Sequence, residues 1–216
     1  MTLSAPAGPT AVAPAASDGS VALRSTTLGV DLYWIPLGAG ADVVRISGRT
    51  FEALAALIHR RPQQALFHSA IVAVTADGSF AIEMAPIPDA RGPQDRGVVS
   101  EGPVGASWAG RFRIFRYEIR RWQNGVIPDL PFAVASPVHL TSDPAVAQQI
   151  LDLVPSVPTP TWGRNELHTT DMWNSNSVVS WLLVRSGMDP EAGHLPAGGR
   201  APGWDAGVVT ARRDIN

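Results

Sequence analysis

Apolar and polar positions first fall into order near Gly29. Val30, Leu32, Trp34 and Ile35 predict a strand with a buried face. Gly38-Ala39-Gly40 then reads as a loop. Over residues 50–61, Phe51, Leu54, Ala55, Leu57 and Ile58 recur at helical spacing. That helix carries Arg60-Arg61 at its C-terminal end, where cations are favoured, and stops at Pro62. Residues 65–75 and 79–84 follow as two strands, rich in β-branched and aromatic side chains and joined at Asp77-Gly78. A loop rich in proline and glycine spans 86–110. Over 111–120, Phe112, Ile114, Tyr117 and Ile119 mix with Arg111, Arg113, Arg116 and Arg120, which predicts a half-buried strand with a solvated basic face. Asn124-Gly125 marks a further turn.

Asp143 and Pro144 have the character of a helix cap and first turn, so a helix is predicted over 144–154. After Pro155, Pro158 and Pro160, a last helix is expected over 175–186, ended by Gly187. The remaining tail shows only a short apolar run at 207–210. Together these elements predict an α+β fold, an antiparallel sheet packed with helices. Residues 1–24 are mostly Ala, Pro, Ser, Gly and Thr and offer little to bury, which predicts a disordered tail. Residues 25–216 are expected to form one domain.

Composition narrows the chemistry. The chain has no cysteine, which excludes disulfides, thiolate-ligated metals and a cysteine nucleophile. Its formal charge is −2, so no global field draws it to nucleic acid or acidic lipid. All 17 basic residues are arginine. No apolar run is long enough to span a membrane, and Pro6, Pro9 and Pro14 interrupt the N-terminal apolar stretch, so the cytoplasm is the expected compartment. No histidine and carboxylate spacing fits a metal motif, and no cofactor is expected.

Two segments concentrate reactive side chains. His68 opens Leu66-Phe67-His68-Ser69-Ala70-Ile71, and Glu83 lies near the end of the next strand. A carboxylate in an apolar strand is costly to bury unpaired, so Glu83 calls for a specific partner. The second segment is Trp173-Asn174-Ser175-Asn176-Ser177-Val178-Val179. Ser175, Val178, Val179 and Leu182 share a helical stripe, which points Ser175 inward at the helix N-terminus. The same residues also suit an ordinary helix cap. Trp108 and Trp204, in predicted loops, are candidates to line a pocket.

A strand-borne His68 before an apolar run, Glu83 on the following strand, and Asn174-Ser175-Asn176 opening a late helix resemble the circularly permuted papain-like proteins. That superfamily includes the NlpC-like amidases, the lecithin–retinol-acyltransferase-like proteins and the PPPDE peptidases. The resemblance covers residues 65–185 and rests on short motifs. With Pro202-Gly203-Trp204, it is also similar to a bacterial group of uncharacterised proteins to which no reaction is attached. The departure is serine where the superfamily carries cysteine. The resemblance implies a hydrolase or acyltransferase acting on a peptide or small-molecule amide or ester. Ser175 would be the nucleophile, His68 the base and Glu83 its orienter, with Asn174 or Asn176 at the oxyanion. Serine is far less acidic than a thiol, so Ser175 would need His68 as a general base during attack. The alternative is a non-catalytic binding domain that has lost the nucleophilic cysteine.

Overall fold

The computed structural model describes residues 27–37, 65–87, 96–169, 171–213 and 215. The predicted N-terminal tail and the helix expected over 50–61 lie outside these residues.

The predicted α+β architecture is present. Seven strands make one sheet: β1 (Gly29–Pro36), β2 (Ala65–Thr75), β3 (Gly78–Pro86), β4 (Val98–Pro103), β5 (Arg116–Gln123), β6 (Val138–Thr141) and β7 (Gly199–Arg200). Their order is β4-β5-β3-β2-β1-β6, all antiparallel, while β7 pairs with the start of β2 in parallel. Among the described residues three helices follow: α1 (Pro144–Leu153), α2 (Ser175–Arg185) and α3 (Trp204–Arg213). Among the described residues, no helix is long and apolar enough to cross a membrane.

The period of two along each strand sorts side chains between the faces. Val30, Leu32, Trp34, Phe67, Ile71, Ala73, Ile82, Met84, Tyr117 and Ile119 form the inner face, and the helices pack on it through Ile150, Val178, Leu182 and Leu183. Tyr33, Ile35, Ala70, Val72, Val74 and Ala81 form a smaller apolar cluster on the outer face.

Three departures from the sequence expectation have identifiable physical causes. The β2–β3 turn is Ala76-Asp77, with Thr75 opposite Gly78, whose φ of +126° suits glycine. Glu83 is therefore opposite Ala70 on extending that register. The predicted strand over 111–120 begins only at Arg116. Its partner β4, which forms inside the expected 86–110 loop, runs out at Pro103, and Val104 N–H closes the ladder on Phe115 O at 2.8 Å. Residues 104–115 thus connect a hairpin, coiled into two 3-10 turns. Helix α3, unforeseen, forms where Gly207 lies flat on α2: a Cβ there would stand 2.1 Å from Ser177 O and Ser180 Oγ.

Candidate functional site

Helix α2 begins where β2 and β3 have parted. The β2–β3 ladder reaches only Ile71–Ile82, leaving the backbone of Phe67 open on that side. Asn176 fills the gap: its Nδ2 donates to Phe67 O at 2.9 Å and to Pro202 O at 2.8 Å, and its Oδ1 accepts from Ser69 Oγ at 2.8 Å. Asn174 caps the helix, accepting from Asn176 N–H at 2.9 Å and donating to Pro202 O at 2.8 Å. Ser177 completes a capping box, accepting from Asn174 N–H at 3.1 Å and donating to Gly203 O at 2.7 Å. Ser180 donates to Trp204 O at 2.7 Å. The predicted inward stripe is therefore only half of what is buried. The 202–204 segment and α3 cover the other side, so every residue from Ser175 to Leu183 is buried.

Ser175 sits at the first position of α2, as expected, and is buried, with no hydrogen-bond partner for its hydroxyl among the described residues. His68 is not joined to it. Ser69, one residue on, is the side chain that reaches α2. His68 pairs with Ile35, whose side chain belongs to the outer cluster. Alternation along β2 therefore assigns His68 to the face opposite the helices. Burial pushes its imidazole down to about 4. A general base works best with a pKa near the operating pH, so this ring is poorly matched to deprotonating a serine.

Glu83 finds the partner that its position demands, but the partner is Arg120 rather than His68. Arg120 Nη1 and Glu83 Oε1 are 2.8 Å apart. Burial raises the Glu83 carboxyl above its ordinary value; Arg120 opposes that shift and Glu118 reinforces it. Arg120 also bonds Glu118 at 2.9 Å, and Arg96 grips Glu118 through Nε at 3.2 Å and Nη2 at 2.8 Å. Burial alone would raise Glu118, but the two guanidinium groups outweigh it and hold the carboxyl below the usual range. Of the four arginines expected on a solvated face over 111–120, Arg111 and Arg113 are exposed and Arg116 is partly so, whereas Arg120 is buried with Arg96 in this ionic lattice.

The two candidate tryptophans also part. Trp204 stacks at 46° on Trp34 with ring centroids 5.0 Å apart, at the edge of the core. Trp108 stands 66% exposed on the β4–β5 connection. A shallow open depression lined by Ala106, Ser107, Arg164, Asn165 and Glu166 contains none of the predicted site residues.

The structure also brings together a constellation that the sequence pattern does not mark. His139 lies on β6 opposite Asp31 of β1, and its Nδ1 is 2.8 Å from Asp31 Oδ1. Its Nε2 is 2.7 Å from Ser142 Oγ. The signal was Asp31 itself, a carboxylate alternating with apolar residues in a strand and so in need of a partner. The connectivity is that of a serine-hydrolase triad. Its setting is not: Ser142 is exposed, and the adjacent Asp143 carboxylate caps α1 by accepting from Ala145 N–H at 2.8 Å. An oxyanion forming beside Ser142 would meet that negative charge.

Comparison with protein-family models, curated proteins and solved structures finds no match for this chain.

Proposed function

We propose that this protein is a non-catalytic binding domain on a permuted papain-like frame, in which the Asn174–Ser177 segment locks the fold instead of activating a nucleophile. Helix α2, opening on Asn-Ser-Asn and seated against β2, the strand that carries His68, supports the relation to that frame. The single observation that carries the non-catalytic reading is the disposal of the polar groups. Asn176 spends both side-chain N–H groups on Phe67 O and Pro202 O, so neither is free to meet an oxyanion. Asn174 spends a donor on the same Pro202 carbonyl. The base and its orienter are separated from Ser175 by the sheet and by the Arg120 ion pair.

A second reading has one observation in its favour, the hydrogen-bonded chain Asp31–His139–Ser142. It would make the protein a hydrolase with a nucleophile outside the α2 segment. A fluorophosphonate probe separates these readings. The expected result at neutral pH is no labelling above that of a Ser142→Ala/Ser175→Ala double variant. Labelling lost in Ser175→Ala alone would restore the acyl-transfer reading, and labelling lost in Ser142→Ala alone would assign the reaction to His139.

A further inference from the structure

Strands β4 and β5 are joined by two 3-10 turns, where the sequence predicts the end of a loop and the start of a half-buried strand, and their large apolar side chains face outward. Ten large hydrophobic side chains are exposed among the described residues, and four of them fall between 108 and 115. Trp108 is 66% exposed, Phe112 51%, Ile114 72% and Phe115 40%. Together they present roughly 400–500 Å² of apolar side-chain surface, the size of the largest apolar patch on a typical monomer, which is often functional. Arg111 and Arg113 are exposed between them. The Arg111 guanidinium lies 5.6 Å from the Trp108 ring centroid and 5.5 Å from that of Phe112. From Val104 to Arg116 there is no acidic residue. Arg116 is balanced by Glu101 at 3.1 Å, whereas Arg113 has no ion pair among the described residues.

We infer that residues 108–115 form a docking turn for an anionic lipid surface. Three features select that occupant. The patch is an exposed hairpin connection whose large apolar side chains face solvent, so it suits insertion into a deformable layer. It interleaves Trp and Phe, which favour the membrane–water boundary, with cations that meet acidic headgroups. Its area is about half of what one partner contributes to a standard protein interface. Buried Ala109 and the Arg116 bond to Gly110 O hold the turn in shape, so little ordering is needed on docking. The net charge of −2 conceals this local basic field. The inference holds whichever reading of the α2 segment is correct.

The test is co-sedimentation of the full chain with vesicles of phosphatidylcholine alone or with about one third phosphatidylserine. Binding is expected to the anionic vesicles, to fall with added salt, and to be weak on phosphatidylcholine alone. Arg111→Gln/Arg113→Gln removes two cations and should weaken partition about 30-fold. Trp108→Ser/Ile114→Ser should weaken it about tenfold or more. All four side chains are exposed, so the far-UV circular dichroism of both variants should match that of the parent. Absence of binding to anionic vesicles, or equal binding by both variants, would overturn the inference. A concentration-dependent dimer abolished by Trp108→Ser/Ile114→Ser would overturn it in favour of a second copy of the chain.

Discussion

Replacing Glu118 with alanine is expected to cost about 3–5 kcal/mol of folding stability, measured by chemical denaturation at neutral pH. The carboxylate is 1% exposed and accepts from Arg96 Nε, Arg96 Nη2 and Arg120 Nε, while both arginines are themselves buried. Removing it strips Arg96 of a two-point partner and leaves Arg120 with Glu83 as its remaining acidic partner. Glu118→Gln keeps one acceptor oxygen and should lose less. The lattice also sets a pH dependence. Because the folded carboxyl is held below its unfolded value, its contribution is complete above the unfolded value and fades as pH falls through the folded one. The Glu118→Ala protein should therefore lose less stability than the parent on acidification below about pH 4. A loss under about 1 kcal/mol at neutral pH would mean that the lattice is not the restraint described here.

The second large effect is expected at Asn176. Asn176→Ala removes two donors and one acceptor, leaving Phe67 O and Ser69 Oγ short of partners in the interior and Pro202 O with Asn174 Nδ2 as its remaining donor, at a cost of about 2–4 kcal/mol. Asn176→Asp is the sharper comparison. It keeps the shape and the acceptor for Ser69, yet it sets a carboxylate oxygen against two carbonyl oxygens. It should therefore destabilise more than alanine at neutral pH, despite the smaller change in volume. If aspartate proved the milder replacement, Asn176 would not be the donor that ties β2 to the 202–203 segment.

What the chain disclosed beforehand follows from how local its signals are. The strand of Val30–Ile35, β2, and helices α1 and α2 each carry their own periodicity or cap, and they form at or within a few residues of the expected bounds. Helix α3 has no such stripe. Its hydrophobic run is short and Gly207 breaks it, and it is defined by fitting closely against α2, a tertiary condition. Phe112 and Ile114 alternate as a strand should, but a strand needs a neighbour, and β4 ends before reaching them. The Asn-Ser-Asn-Ser cap and its inward direction were legible. The face occupied by His68 was not, because it depends on the parity of β2 against Ser69 and Ile35. Glu83 was rightly read as needing a partner, yet Arg120 could be named only from the β3–β5 register.

On the non-catalytic reading proposed above, Ser175 receives no help from His68. The chain has no native thiol, so Ser175→Cys places a single reporter at that position. Its alkylation rate by iodoacetamide should be followed against pH, with and without His68→Ala. The helix N-terminus acts on the thiol in both proteins, so it does not confuse the comparison. Superimposable pH profiles are the result predicted here. A thiolate reactive at acidic pH that returns to ordinary thiol behaviour once His68 is removed would contradict it.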